Sequence, residues 1–304
     1  MNIRDLEYLI AVSKHKSFVK ASSECHVSQP TLSGQIRKLE NYLGAQIFER
    51  TTKQVTVTSF GKEIIDKARI IIDKTYEIKN LSTDYQDPWH QPIKMGVIPS
   101  LGPYLIPNFI LNLKKNNKSS KIFIDEDITE NITKKLESRE LDVILLATDV
   151  DSEKFEQIKL FDEPFWVAYS KNKELDKLDE IKTTDLNLKQ MLLLSDGHCL
   201  RDQIMEIWEA YDKNNILHRY DTKASSLETL VNLVSVGEGF TFVPALALQS
   251  AWTTDKGIQV RKLNHKKAYR RIRLVFRRNY YKKDLLTNLS KIILEFLPNT
   301  VKKI

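Results

Sequence analysis

The sequence predicts a mixed α/β protein in two parts, a helical N-terminal part and a longer α/β part. Up to about residue 87 apolar residues recur at helical spacing. Pro88 and Pro92 then interrupt the pattern, because proline cannot continue a helix and restricts the residue before it. Beyond them short apolar strands alternate with helical patterns, which favours a parallel sheet covered by helices. With 304 residues and a hydrophobic fraction of 41%, the chain is long enough for two cores.

Three helices and a hairpin are predicted at the N-terminus. The β-branched residues of Ile47–Thr58, with polar residues between two extended pieces, predict the hairpin. Three helices followed by a hairpin are typical of a winged helix-turn-helix, which we place at residues 1–58. The apolar stripes of the helices are Leu6, Leu9, Ile10 and Val12; Phe18, Val19, Ala21 and Cys25; and Leu32, Ile36, Leu39 and Leu43.

A long linker helix is predicted over residues 59–87. Thr58 or Ser59 is placed to cap it, and its apolar stripe extends from Phe60 to Leu81. A helix this long with so continuous an apolar stripe needs a partner, most simply a second copy of itself in a dimer.

Residues 88–304 are predicted to form two α/β lobes with a cleft between them, an arrangement typical of a small-molecule-binding module. Lobe I takes about 92–163 and 268–304, and lobe II about 164–267. The predicted strands are Ile93–Ile98, Lys121–Asp125, Leu141–Ala147, Phe165–Tyr169, Met191–Leu194, Phe240–Val243, Ile258–Leu263 and Arg271–Arg277. The predicted helices are Tyr104–Leu113, Ile128–Leu136, one from about Cys199, Ser226–Val236 and Leu285–Phe296.

Composition narrows the class of protein. Two cysteines cannot build a disulfide framework, and Met1–Arg4 leads directly into the first helical pattern, so we expect a reducing, cytoplasmic location. The apolar stretch Leu230–Ala247 is interrupted by charged and turn-forming residues, and no membrane segment is expected. The net charge of +7 comes from residues 254–304, which hold 15 basic and 3 acidic residues. The total charge therefore does not locate a nucleic-acid site.

The third predicted helix carries the polar pattern of a DNA-reading helix. Ser28 is placed to cap it, and Pro30 lies in the first turn, where its missing N–H costs nothing. Short hydroxyl and amide side chains there allow close approach to base edges in the major groove. In the wing, Arg50 and Lys53 are expected on the DNA backbone or in the minor groove. The polar positions of the helix are Gln29, Thr31, Ser33, Gln35 and Arg37. The alternative is a packing module with a solvated polar face.

The segment through Thr58 and the following helix resembles the LysR-type transcriptional regulators, and all three parts of the chain match that family in order and approximate length. The resemblance implies a winged helix-turn-helix on double-stranded operator DNA, a dimerising linker helix and a two-lobed effector domain like periplasmic binding proteins. It also implies a homodimer assembled into a homotetramer, contact with RNA polymerase and no cofactor. His26 and His198 lack further ligands at metal-binding spacing, so no metal site is expected.

Several segments are similar to the peroxide-responsive members of the family. Among them Asp196–Gln203, DGHCLRDQ, surrounds Cys199, which the resemblance implies to be the residue that hydrogen peroxide oxidises. A thiol at a helix N-terminus beside His198 and Arg201 is expected to favour the thiolate. The resemblance implies a peroxide pocket of Ser100, Thr129, His198, Arg201, Asp202 and Arg271. The other similar segments are Met1–Glu7, Cys25–Glu40, Gly102–Leu105, Ser226–Leu230 and Pro244–Ala247.

One position departs from the peroxide-responsive pattern. The resemblance implies a disulfide between the oxidised cysteine and a second one downstream, whereas an ungapped alignment places Trp208 there. The other cysteine, Cys25, lies on an apolar stripe and is expected in a core. If Cys199 is oxidised, its stable product is then a sulfenic acid, a mixed disulfide with a small thiol, or an intermolecular disulfide.

Two other functions stay open at this point. One is a regulator of the same family that binds a small metabolite in the interlobe cleft, with Cys199 a lining residue and the peroxide response lost. The other is a thiol peroxidase using Cys199, which the missing resolving cysteine disfavours because turnover needs a second thiol. We therefore expect a regulator and not an enzyme.

Overall fold

The computed structural model describes residues 1–50, 55–86, 89, 91–117, 120–207, 224, 226–249 and 257–304. They belong to two compact units, one formed by residues up to 88 together with 279–281, the other by 89–278 and 282–304. No helix within these described ranges has both the length and the apolar character needed to cross a bilayer.

The N-terminal unit begins with three helices, α1 (Ile3–His15), α2 (Phe18–Glu24) and α3 (Gln29–Leu43). A capping box starts α1: the Asn2 side chain accepts the Asp5 N–H, and the Asp5 carboxylate accepts the Asn2 N–H. The predicted cap of α3 is confirmed, since Ser28 Oγ accepts the Thr31 N–H at 3.3 Å. The buried apolar residues that form the core of these helices include Leu6, Leu9, Val12, Phe18, Ala21, Leu32, Ile36 and Leu39.

The predicted hairpin is confirmed as an antiparallel pair of short strands, β1 (Phe48–Arg50) and β2 (Val55–Val57). A buried carboxylate joins this wing to α3. Glu40 Oε1 accepts the N–H of Ile47 at 2.9 Å and that of Phe48 at 3.1 Å. The wing is therefore held against α3 by charge-assisted hydrogen bonds.

The linker helix α4 spans Ser59–Gln86. Thr58 caps it, because its hydroxyl accepts the Gly61 N–H at 2.8 Å. The predicted apolar stripe is only partly buried in the unit: Ile65 is 3% exposed, whereas Ile71 is 42% and Ile78 is 75% exposed. Among the described residues of α4, apolar side chains are therefore buried in its first half and exposed at Ile71 and Ile78.

The C-terminal unit is a mixed α/β structure. Its helices are α5 (Gly102–Asn116), α6 (Thr129–Glu137), α7 (Cys199–Ile207), α8 (Leu227–Ser235) and α9 (Lys283–Glu295). Its strands are β3 (Ile93–Val97), β4 (Ile122–Glu126), β5 (Val143–Leu146), β6 (Phe155–Ser170), β7 (Glu180–Ile181), β8 (Phe240–Pro244), β9 (Ile258–Leu263), β10 (Tyr269–Arg277) and β11 (Lys302–Lys303).

Strand β6 belongs to both lobes. Residues 155–164 of β6 pair with β10, and beyond β10 the sheet continues through β5 and β3 to β4. Residues 165–170 of β6 pair with β8 and β9. The expectation of a parallel sheet is wrong in part: β3 is parallel to β4 and β5, but every pairing of β6 and β10 is antiparallel. Strands β6 and β10 are antiparallel to their neighbours and lie where the chain passes between the lobes. A simple βαβ pattern does not predict antiparallel strands of this kind.

The strand predictions miss the two-residue strands β7 and β11 and differ from the structure in two longer segments. The first half of β6 was not predicted, since charged and apolar residues are mixed over Phe155–Pro164. Met191–Leu194 was predicted as a strand but forms only isolated bridges, from Met191 to Phe240 and from Leu194 to Ala224. Its apolar residues are buried under the lobe II core without a continuous ladder.

We predict that Gly239→Ala destabilises lobe II much more than Gly237→Ala. Both glycines have positive φ, +117° and +90°, but a Cβ on Gly239 would lie 2.0 Å from the Gln190 carbonyl oxygen, while Gly237 faces open space. The matched control should lose about 1 kcal/mol from backbone strain alone, and Gly239→Ala clearly more. Thermal unfolding of the two full-length variants measures the difference, and equal shifts in Tm would contradict the prediction.

Candidate functional site

Helix α3 presents the predicted DNA-reading residues on its solvent side. Gln29, Thr31 and Arg37 are exposed, while Ser33 and Gln35 are half-buried. Leu32, Ile36 and Leu39 are buried on the other side of the helix. The polar groups are therefore available for a partner without any change in the packing of the core.

The structure describes some of the predicted DNA-binding residues of α3 and the wing in full and others in part or not at all. Pro30 lies exposed in the first turn of α3, and Ser28 Oγ also hydrogen-bonds Thr31 Oγ1 at 2.7 Å. Lys53 lies outside the described residues, and for Arg50 the backbone alone is described, at the end of β1.

Cys199 is the first residue of α7 and is 7% exposed. Burial raises the pKa of its thiol; the charge of Arg270 and a hydrogen bond from Thr129 lower it, and the carboxylate of Asp202 raises it. The net direction is upward. The expectation that this cysteine favours the thiolate is therefore wrong for the resting protein, because desolvation of the sulfur outweighs the nearby positive charge.

A buried chain of polar groups lies beside the thiol. The Arg270 guanidinium donates from Nη1 to Ser100 Oγ at 2.6 Å, from Nη2 to the Ser100 carbonyl at 2.9 Å and from Nε to Glu163 Oε2 at 2.8 Å. Ser100 is 4% and Arg270 2% exposed. The structure therefore joins one predicted pocket residue, Ser100, to an arginine that was not predicted.

Thr129 acts on the thiol, and His198 directly precedes it in the chain. Thr129 is the first residue of α6; its buried hydroxyl makes no hydrogen bond of ordinary geometry within the described residues, and it lowers the pKa of the Cys199 thiol. His198 directly precedes α7 and is buried, and burial lowers the pKa of its imidazole. At pH 7 this ring is therefore neutral and carries one donor and one acceptor nitrogen.

Arg271 does not join this group of residues, contrary to the prediction. Consecutive residues of a strand point to opposite faces, and β10 turns Arg270 inward and Arg271 outward. Arg271 pairs with Asp162, at 2.7 Å and 2.8 Å. A one-residue difference in alignment thus exchanges a buried arginine for a surface one.

The remaining predicted pocket residues lie around α7. Arg201 donates to the Leu194 carbonyl at 3.0 Å and pairs with Asp196 at 3.1 Å, so it anchors the start of α7 to the preceding turn. Asp202 acts on Cys199 only by its negative charge. Trp208 lies outside the described residues.

Tyr104 was part of a quoted segment but was not predicted as a site residue. It lies on α5, packs against the lobe II core, and has a pKa raised to about 12, first by burial and then by Glu228. The charge of Arg270 lowers the pKa of Tyr104, as it lowers that of Cys199. Its signal in the sequence was the short segment Gly102–Leu105.

The fold and the site define a class of protein, and comparison with known families agrees with it. Residues 3–62 match the bacterial regulatory helix-turn-helix protein of the lysR family, and residues 86–298 match the LysR substrate binding domain. The chain belongs to the LysR family of DNA-binding transcriptional regulators.

Within the family the chain is similar to OxyR proteins. It is 40% identical to the DNA-binding transcriptional dual regulator OxyR of Escherichia coli over 248 residues, which cover 82% of this chain and 80% of the relative. It is 37% identical over 277 residues to the hydrogen peroxide-inducible genes activator of Haemophilus influenzae, covering 91% of each. The structure of a full-length OxyR variant from Pseudomonas aeruginosa superposes with a TM-score of 0.77 and 30% identity, covering 97% of this chain and 98% of that one.

We predict that Thr129→Val moves the ionisation of Cys199 to higher pH, because the hydroxyl hydrogen bond that favours the thiolate is lost. In a Cys25→Ser background, alkylation of Cys199 by iodoacetamide should slow by about tenfold at neutral pH. Thr129→Ser keeps the hydroxyl and serves as the matched control. An unchanged pH profile in Thr129→Val would contradict the role of the hydroxyl.

Proposed function

We propose that this chain is an OxyR-like regulator that senses hydrogen peroxide through Cys199 without a downstream resolving cysteine. The observation that carries the proposal is a buried thiol at the start of α7, directly after the buried His198, on which Thr129 and Arg270 act, with Arg270 hydrogen-bonded to Ser100. The names of the relatives, which describe peroxide-inducible gene activation, support the same reading of the site.

Operator DNA is the proposed partner of the N-terminal unit. The exposed residues Gln29, Thr31 and Arg37 of α3 suit hydrogen bonds to base edges and phosphates in the major groove. By the resemblance, Arg50 and Lys53 of the wing add contacts to the backbone or the minor groove.

The proposed assembly is a homodimer through the linker helix, and two dimers form a homotetramer. The exposed apolar residues Ile71 and Ile78, one heptad apart on the same side of α4, support the dimer, since an exposed apolar stripe is stabilised by a matching helix. Contact with RNA polymerase is proposed from the resemblance alone.

The chemistry proposed for Cys199 is a displacement at one peroxide oxygen. The sulfur attacks, the O–O bond breaks, an S–O bond forms, and thiol plus hydrogen peroxide become sulfenic acid plus water. Because burial keeps the resting sulfur protonated, its proton must move to the departing oxygen. Thr129 and the neutral His198 offer groups that donate and accept hydrogen bonds for this transfer.

The oxidised product differs from a two-cysteine switch. The chain has two cysteines, and Cys25 belongs to the helix-turn-helix segment, where it packs against the core of that unit. The proposed products are therefore the sulfenic acid, a mixed disulfide with a small thiol, or an intermolecular disulfide.

One observation supports a second candidate function, a response to an anionic metabolite. A cavity of about 440 Å³ is lined by residues of α7 and by three arginines of β10, each of which also pairs with a carboxylate. Its lining residues are Ala147, Thr148, Asp149, Gln203, Glu206, Lys267, Tyr269, Arg270, Arg271 and Arg273. Basic side chains in a concave surface suit a carboxylate or phosphate group.

The peroxide proposal predicts selective oxidation of Cys199. After brief, near-stoichiometric hydrogen peroxide, intact-mass spectrometry with peptide mapping should show one added oxygen on Cys199, or a thiol adduct when glutathione is present. Cys25→Ser should react like the natural sequence, and Cys199→Ser should not react.

A Cys199 that stays unmodified under these conditions would refute peroxide sensing and leave the DNA-binding regulator in place. Stabilisation by a small carboxylate or phosphate compound, undiminished in Cys199→Ser, would then favour the metabolite function.

The DNA proposal predicts that Arg37→Ala weakens binding to sites selected by the natural protein from a random duplex pool. If Arg37 contacts a phosphate, the slope of log affinity against log salt should fall by about one. Lys114→Ala, an exposed change of equal charge on α5, is the control. Equal affinities and slopes for Arg37→Ala and the natural protein would exclude Arg37 from the interface.

A further inference from the structure

We infer that Glu163 is a positioning residue for the reaction of Cys199: it holds the Arg270 guanidinium in the orientation in which it hydrogen-bonds Ser100 and in which its charge acts on the thiol. The inference deepens the proposed function, since it assigns a role to a residue outside the peroxide pocket. It stands on the hydrogen bonds around two fully buried side chains, Glu163 and Arg270.

The Glu163 carboxylate accepts hydrogen bonds from two donors and is buried away from solvent. Its Oε2 accepts Arg270 Nε at 2.8 Å, and its Oε1 accepts the Leu246 N–H at 2.8 Å. Glu163 and Arg270 are direct partners in the β6–β10 ladder, and Leu246 lies in the 3-10 turn Ala245–Gln249 after β8. The Glu163 carboxylate therefore has hydrogen-bond partners in both lobes, Arg270 in lobe I and Leu246 in lobe II.

Only a carboxylate satisfies both neighbours. Arg270 Nε and the Leu246 nitrogen are both hydrogen-bond donors, and an ionised carboxylate offers an acceptor oxygen to each. A glutamine of nearly the same shape offers one oxygen and one amide nitrogen, so it must turn a donor toward a donor. The cost of this mismatch is high because water cannot reach the buried groups.

The influence of Glu163 on the thiol passes through Arg270. Arg270 and Asp202 are the charged groups that act most strongly on Cys199, and Glu163 is not among its leading electrostatic partners. Arg270 in turn uses its remaining donors on the hydroxyl and the carbonyl of Ser100. Loss of the Nε contact therefore releases the guanidinium that favours the ionised sulfur and moves the reaction to higher pH.

The surface pair one residue away provides a matched control. Asp162 is the neighbour of Glu163 in β6, and it pairs with Arg271, the neighbour of Arg270 in β10. Asp162→Asn removes the same charge from the same stretch of the ladder, but on the solvent side, where an ion pair contributes little.

The test is the pH profile of Cys199 alkylation by iodoacetamide in the full-length Cys25→Ser protein, in which the sulfur forms an S–C bond and iodide leaves. Glu163→Gln should slow alkylation at neutral pH by about tenfold and move the profile to higher pH. Asp162→Asn should leave rate and profile unchanged. In an Arg270→Gln background, Glu163→Gln should add no further change, because its route to the thiol is gone.

Two outcomes would overturn the inference. One is a Glu163→Gln protein with a lower Tm but the natural pH profile, which is the result of a merely structural role. The other is a further shift of the pH profile when Glu163→Gln is added to the Arg270→Gln protein. If Glu163→Gln does not fold, Glu163→Asp replaces it, since the shorter side chain cannot keep both contacts, and an unmoved profile in that variant overturns the inference equally. Alkylation does not depend on peroxide, so failure of the proposed function is recognised separately, by a natural protein that alkylates normally but does not react with peroxide.

Discussion

The buried ion pair of Glu163 and Arg270 is the constraint on which the C-terminal unit depends. Both side chains are fully buried, and each partner alone would be an uncompensated charge in a medium that cannot solvate it. The pair therefore requires β6 and β10 to keep their register and requires the Leu246 and Ser100 backbones to stay within hydrogen-bonding distance. Since β6 continues into lobe II, one polar network connects the frame of lobe I, the turn after β8 and the surroundings of the cysteine.

The same network explains how a thiol can be buried and still be directed toward chemistry. Burial raises the pKa of Cys199 and keeps the resting sulfur protonated, whereas Arg270 and Thr129 act in the opposite direction. Burial disfavours the thiolate whichever reagent enters the site. Arg270 and Thr129, which favour the thiolate, are already in place and need no reorganisation. In the proposed function, a small, uncharged oxidant suits such a site better than a bulky or charged reagent.

Helices α3 and α4 of the N-terminal unit each bury an apolar stripe, but they differ in the side chains that they leave exposed. In α3 the face opposite the core is polar, with Gln29, Thr31 and Arg37 exposed. In α4 Ile65 and Ile72 are buried, whereas Ile71 and Ile78, one heptad apart on the flank of that buried stripe, are exposed. A polar face suits DNA, and an apolar face suits a second helix, so the two proposed interfaces of the unit follow from the side chains that the core leaves outside.

The sequence by itself determined the helices of the N-terminal unit, the cap at Ser28, the order of most strands, and the position of Cys199 at the start of a helix. These are local properties, set by periodicity and by residues a few positions apart. Only the tertiary structure decided that β6 and β10 run antiparallel, that the charge of Arg270 and not of Arg271 acts on the thiol, and that Glu163 holds Arg270. It also decided that the thiol is protonated at rest, because pKa depends on burial and on charges brought together from distant parts of the chain, which residue spacing does not record.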